Sequence, residues 1–297
     1  MIHTVEELRI GTNMSLQSYY AAFESRIGYW VFLGGTRHFG YYQPDAKWPF
    51  PLNTALRRME KHLFDSLGLQ SPAVVLDAGC GVGHVAMYMA RRGMLVHGID
   101  VVSNHIRWAL QNVQAHKIEN AVTVHLMNYQ NLDGFKDEFF DGVYTMETLV
   151  HATNPVKALR EFFRVIKPGG SIALYEYDHT DLGAASKNLP KELLKSMRQI
   201  NKRASMPAFE DFSQGALQHM LEEQGFQDVV VRDLSDNIKP MMRLFFVVAY
   251  IPYLFIILFR LQAWFVNTQA GVEGYRSLER GVWRYVVVTA KKPLKKA

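Results

Sequence analysis

The stretch "VVLDAGCGVGH", Val74 to His84, places three glycines in five residues directly behind an apolar run, with Asp77 two positions before the first of them. A buried strand that ends on a carboxylate and then runs into a loop almost without side chains needs a physical reason. Gly79, Gly81 and Gly83 let the backbone turn sharply from strand to helix, and they let a ligand approach without meeting Cβ atoms. The helix expected from His84 then points its N-terminal amides and the positive end of its dipole at that ligand.

Downstream, strand-like and helix-like segments alternate. "AVVLDA", "LVHGID", "VTVHLM", "FDGVYTM" and "SIALYEY" read as strands. "HVAMYMARRG", "SNHIRWALQNVQAH" with Ser103 or Asn104 as its cap, and "NPVKALREFFRVIKPGG" stopped by Pro-Gly-Gly read as helices. Ahead of them, "NTALRRMEKHLFDSLGL" puts Leu56, Met59, Leu63 and Leu67 on one helical face, and Gly68 closes it. This alternation predicts right-handed crossovers and an α/β fold, a Rossmann-like, doubly wound, mainly parallel sheet of seven strands. Residues 189–226 read as mostly helical, and "FQDVVVRDLS" and "WRYVVVTAKK" resume strand character.

The expected organisation has three parts. Residues 1–52 form an aromatic N-terminal flap or substrate cap, 53–180 the ligand-binding core, and 181–297 the remainder of the same fold with a helical cap and an apolar insertion at 236–270. Within that insertion Leu244 to Phe259 carries no charge, Pro252 interrupts it, and Arg243 and Arg260 bracket it. A buried helix pair or dimer face, a lid over a greasy pocket that dips into a membrane surface, and a transmembrane span all stay open for this segment. The uncharged run is shorter than the roughly 20 residues a spanning helix needs.

Composition narrows the partners. The 297 residues are 48% hydrophobic, ample for one large core, and part of the net charge of +5 sits in the terminal "KKPLKK". No basic stripe interleaved with aromatics appears, so no nucleic-acid partner is expected. Cys80 is the single cysteine, which excludes an intrachain disulfide; no metal-ligand spacing stands out, and no metal is expected. An intracellular setting is expected, cytoplasmic or peripherally attached to an internal membrane.

The third glycine of a dinucleotide fingerprint would fall at His84, which disfavours a close-packed pyrophosphate. Asp100 ends the next strand about twenty residues on, where a carboxylate can accept both hydroxyls of a ribose. Two acids around an anion-friendly loop suit a ligand with a ribose, a carboxylate and a cationic end. S-adenosyl-L-methionine has those parts.

"VLDAGCGVGH", "GID", "FDGVYTMETLVHATNPVKALREFFRVIKPGG" and "IALYEY" resemble the successive motifs of class I S-adenosyl-L-methionine-dependent methyltransferases. "HFGYY", "SDNIKP" and the apolar insertion resemble the sterol C-methyltransferase-like group, which includes fungal natural-product methyltransferases. The resemblance implies that Asp77, Gly79, Gly81 and Gly83 form the cofactor loop, that Asp100 holds the ribose, and that Val101 lies beside the adenine. Asn128, with Tyr129 next to it, stands where the family often has an adenine-reading acid. Glu147 and His151 occupy the edge that opens over the methyl group.

His151 and His38 are the titratable candidates for proton transfer, against packing beneath the loop or hydrogen bonding within the flap. Glu147 is a candidate for holding substrate or steadying a cation, against a buried structural acceptor. Tyr41, Tyr42, Trp48 and Phe50 are expected as pocket walls, and Glu176 and Tyr177 as residues of the acceptor site. The expected activity is methyl transfer to a lipophilic small molecule such as a sterol, terpenoid or polyketide. The alternative is a Diels–Alder-type pericyclization in which the cofactor serves as a fixed positive charge. A non-enzymatic cofactor-binding role is a third reading, and homodimerisation through the insertion stays open.

Overall fold

The computed structural model describes residues 14–21, 24, 34–180 and 190–295. The strands β1 (Val74–Ala78), β2 (Leu95–Asp100), β3 (Val122–Leu126), β4 (Phe140–Met146), β5 (Ile166–His179), β6 (Gln227–Asp233) and β7 (Trp283–Lys291) form one sheet. Among these seven described strands, β1, β2, β3 and β5 each follow a helix, and β4 follows β3 through the 127–139 loop, so the first five are joined by crossovers and lie parallel. Its order is β3-β2-β1-β4-β5-β7-β6. The first five pair in parallel, and β7 runs antiparallel to both β5 and β6. The order reverses at β1, so the C-terminal ends of β1, β2 and β4 form the crevice in which ligands of such sheets bind.

The described helices are α1 (Met14–Ala21), α2 (Leu52–Leu67), α3 (His84–Arg91), α4 (Ser103–Ala115), α5 (Pro155–Val165), α6 (Lys191–Arg203), α7 (Ala216–Glu223) and α8 (Ser235–Leu258). A further run is α-helical over Val266–Gln269 and Tyr275–Glu279, with a π-helical turn over Ala270–Gly274 between them. Helix α2 buries Leu56, Met59, Leu63 and Leu67 as the sequence spacing requires, and Gly68 ends it with φ 62°. Asn154 caps α5 by accepting from the Lys157 amide at 2.8 Å.

Three local expectations are corrected. Neither Ser103 nor Asn104 caps α4; Val102 holds that position, and Asp100 Oδ1 satisfies its amide at 2.8 Å. Helix α5 stops at Val165, and the Pro-Gly-Gly turn already belongs to β5. Pro252 does not interrupt α8, which continues through both Pro240 and Pro252. The insertion is not a buried helix pair either: Val247 is 63% exposed and Leu258 72%.

Candidate active site

Two cavities meet above the C-terminal edge of the sheet. The first lies over the glycine turn, lined by Asp77, Gly79, Gly81, Asp100, Val101 and Tyr129 among others. The second, of about 730 Å³, is enclosed mainly by apolar side chains from α6, α8 and the 266–274 segment. Tyr20, Arg37, His38, Glu147 and His151 line both. These five residues are the boundary between the two cavities.

The glycine turn is shaped by its neighbours. Gly79 has φ 100°, and a Cβ there would sit 2.6 Å from the side chain of Thr148. Thr148 cannot retreat, because its hydroxyl donates to Ala78 O at 2.7 Å and its amide donates to Glu176 Oε1 at 3.0 Å. Gly83, with φ 85°, is the left-handed residue that starts α3. Cys80 is buried within the turn, and burial followed by the charges of Asp77 and Asp100 pushes its thiol well above the usual range, so it stays unreactive.

Asp77 and Asp100 lie in different electrostatic environments. Burial pushes the Asp77 carboxyl up to about 7, only partly offset by Tyr144 beside it. Its Oδ2 is buried without a hydrogen-bond partner, an acceptor that a cationic or N–H-bearing ligand would satisfy. Burial would also raise Asp100, but His105, the Val102 amide and Arg37 together outweigh it and hold the carboxyl below the ordinary range. Asp100 accepts from Gly81 N at 3.0 Å and from His105 Nδ1 at 3.1 Å, while Arg37 Nη1 donates to His105 Nε2. Arg37 in turn lies 4.7 Å over the Tyr20 ring. A backbone bend that a Cβ would fill, one orphaned acid and a second, prepared acid fit a nucleoside with a cationic end.

Val101 lines this cavity, and its carbonyl accepts from Gln17 of α1 at 2.6 Å. Tyr129 also lines it and donates to Thr148 O at 2.9 Å. Asn128 does not reach it; its Oδ1 accepts from the Gln130 amide at 2.9 Å inside its own loop.

Glu147 stands at the end of β4 with φ 60°, a strained backbone for a non-glycine residue. Three donors hold it there. Phe39 N and Tyr285 OH reach Oε1 at 2.9 Å each, and Tyr177 OH reaches Oε2 at 2.6 Å. Burial raises its carboxyl, and the Tyr177 and Phe39 hydrogen bonds pull back against that rise.

His151 faces Ser205 O through Nδ1 at 2.7 Å, which assigns the proton to Nδ1 and leaves Nε2 as the acceptor, 3.4 Å from Tyr20 OH. Burial lowers its pKa, so the ring is neutral. His38 is 3% exposed, with Nδ1 2.8 Å from Phe39 O and Nε2 3.6 Å from Glu60 Oε1. Glu60 is fully buried and also meets Arg57 at 2.6 Å.

Tyr177, expected at the acceptor site, lines the large cavity, whereas the four expected pocket walls line neither cavity. Tyr41 stacks on His62 at 5.0 Å, and Tyr42 is buried in a separate small core with its hydroxyl on Pro49 O. Trp48 is 78% exposed and Phe50 63%, and neither lines a cavity. The backbone from 41 to 42 is pinned to α2 and α8 through Ala55 O and Asn237 O, which turns the Tyr41 and Tyr42 rings away from the site. Glu176 is fully buried and accepts from the amides of Thr148, Leu149 and Val150, so it braces the loop that carries Glu147 and His151. Burial lifts its carboxyl to about 8 despite those donors. Sequence reasoning missed Tyr20, Arg37, His105 and Tyr285. Only His105, five residues past the ribose acid in the first turn of a helix, carried a local signal.

Residues 76–174 match the methyltransferase domain family. A Talaromyces variabilis protein described as an S-adenosyl-L-methionine-dependent Diels-Alderase is 42% identical over 280 residues, covering 94% of this chain and 95% of that protein. Sterol 24-C-methyltransferase of Saccharomyces cerevisiae is 30% identical over 184 residues, 62% of this chain and 46% of that one. The crystal structure of the mycolic acid cyclopropane synthase CmaA1 with S-adenosylhomocysteine superposes with a TM-score of 0.79 at 17% identity, covering 95% and 99% of the two chains. That structural likeness shows the fold.

Proposed function

Because this chain belongs to the class I S-adenosyl-L-methionine-dependent methyltransferase family, we propose that it is a member which uses its cofactor for pericyclization, closing a ring in a lipophilic polyene by a Diels–Alder-type reaction. It is an enzyme and S-adenosyl-L-methionine is its cofactor; methyl transfer and pericyclization are both represented among its relatives. The observation that carries the choice is the state of Glu147. Both its oxygens are engaged by Phe39, Tyr177 and Tyr285, so the acid at the boundary is committed to holding that boundary in place. A pericyclic ring closure moves no proton and needs no base. The extensive relationship to a fungal Diels-Alderase supports the same choice.

In this reading Asp77 takes the cationic end of the cofactor, Gly79, Gly81 and Gly83 cradle it, and Asp100 takes the ribose hydroxyls, with Val101 and Tyr129 against the base. When bound, the cofactor supplies a sulfonium, able to give up a methyl group or to act as a fixed charge. His105 holds Asp100 in position and is itself held by Arg37. His38, with both ring nitrogens turned toward protein oxygens, acts on the boundary through polarity and position. Tyr177 and the apolar wall fold the polyene and exclude water, and a fixed charge near a substrate carbonyl is worth most in such a dry site. The described part of residues 1–52, the 53–180 core and the 236–270 insertion act together as cap, cofactor site and lid, in an intracellular setting.

Methyl transfer is the second reading, and His151 favours it, since its Nε2 lone pair faces the boundary and would serve as a base. The test is incubation with methyl-labelled cofactor and a panel of linear polyene ketones. The expected product has unchanged mass and carries no label. Label in the product, with S-adenosylhomocysteine formed alongside it, overturns the pericyclase reading.

A further inference from the structure

Helix α8 has two faces with different tasks. Its first turns are built into the fold: Ile238 and Met241 are fully buried, and Asn237 Nδ2 donates to Tyr42 O at 2.7 Å. Beyond them, Phe245, Ala249, Pro252 and Ile256 wall the large cavity. Val247, Ile251, Leu254 and Leu258 form the ridge on the other side and line no cavity. Ile251 is 60% exposed, and after the helix Phe259 is 62% and Trp264 76% exposed. At about 100° per residue, the exposed apolar side chains of the distal half span about 200° of the helix circumference. A surface helix in water would be polar over that arc.

We propose that this ridge and the 259–264 turn dock the enzyme onto a lipid bilayer, with the apolar side chains at the boundary between headgroups and acyl chains. A bilayer fits better than a second copy of the chain, because apolar exposure over more than half a helix suits a surrounding apolar medium, whereas a protein partner covers one face. Charge agrees. Between Leu244 and Phe265 the only charged side chain is Arg260, close to exposed Trp264, and no acid occurs there. A cation and an indole are the side chains that favour the headgroup level. Because the base of α8 is locked into the core, the helix lies on the membrane surface and does not span it. Val248 and Phe255 are both exposed and part of the cavity wall, so the cavity opens along the docked edge. The use of that opening for lateral entry of substrate rests on the proposed lipophilic substrate; the docking itself does not.

The test is flotation of the full chain with mixed phosphatidylcholine–phosphatidylserine vesicles, beside an Ile251→Asp/Leu258→Asp variant. Cofactor affinity by calorimetry verifies folding, and Leu254→Ser is the milder variant if the double one fails to fold. The wild-type chain is expected to float with vesicles, also at about 1 M salt, where the Debye length is about 3 Å. The double variant is expected to lose at least tenfold in bound fraction with unchanged cofactor affinity, and Leu254→Ser to show a smaller loss of the same sign. A wild-type chain that stays unbound, vesicle binding lost in salt, or variants that float equally well would overturn the docking. So would a wild-type dimer by light scattering that the double variant splits, since the ridge would then meet a second copy. None of these readouts depends on catalysis, so a failed pericyclase reading leaves them interpretable.

Discussion

Replacing Asp77 by Asn should move stability and cofactor affinity in opposite directions. The wild-type carboxyl is raised from 3.8 to about 7 by burial in the folded protein. An acid whose folded pKa lies above its unfolded value stabilises the fold fully only below the unfolded value, and that contribution is lost as pH rises toward the folded one. Between 3.8 and about 7 the ionised form therefore weighs increasingly against the cofactor-free fold. At pH 8 the cost is about 4 kcal/mol as an upper bound, and at pH 5 about 2 kcal/mol, at 1.36 kcal/mol per pKa unit. Asn at the same place carries no charge, so the cofactor-free Asp77→Asn protein should melt higher at pH 8, by up to about 6 °C for a chain of this length, and by less at pH 5. Affinity for S-adenosyl-L-methionine should fall about 10- to 150-fold, the scale of losing a hydrogen bond to a charged group. Wild-type affinity should strengthen from pH 6 to pH 8 as Asp77 ionises, and the variant's should not. Differential scanning calorimetry and isothermal titration across this range measure both. A variant that is less stable at pH 8 and binds the cofactor as tightly as the wild type would refute the assignment of Asp77.

Asp100→Ala strands the Gly81 and Val102 amides and His105 Nδ1, and should weaken cofactor binding by about 1–3 kcal/mol in titration calorimetry; unchanged affinity would count against the ribose role. Gly79→Ala combines φ 100° with a 2.6 Å contact on a clamped Thr148, and should lower stability in urea by about 2–4 kcal/mol. Glu147→Gln keeps the shape of the boundary but loses acceptor capacity toward Tyr177, Tyr285 and Phe39. It should slow turnover at least about tenfold, the scale of 1.4 kcal/mol, with cofactor affinity little changed; equal loss of both would make it purely structural.

The sheet and the cofactor turn were legible because they follow from local rules. Glycines at alternate positions, acids at two strand ends and helices at crossover spacing each constrain the chain within a few residues. The assignment failed where long-range contacts decide. Tyr41 and Tyr42 look like pocket aromatics in the sequence, yet their amides are tied to Ala55 and Asn237, and the rings turn elsewhere. Asn128 is drawn into its own loop by Gln130. Glu147 reads as a lone acid, but its partners Tyr177 and Tyr285 lie 30 and 138 residues away on β5 and β7, and no local pattern announces them. Pro252 reads as a break, yet α8 runs on through it to Leu258 although the turns on either side are largely exposed.

The central claim concerns what happens to the cofactor during turnover. Enzyme loaded with a single equivalent of S-adenosyl-L-methionine should convert many equivalents of polyene to an isomeric product, with the cofactor recovered intact, and S-adenosylhomocysteine, which lacks the charge, should support little conversion. Product that stops at one equivalent per cofactor, each matched by one S-adenosylhomocysteine, would contradict it.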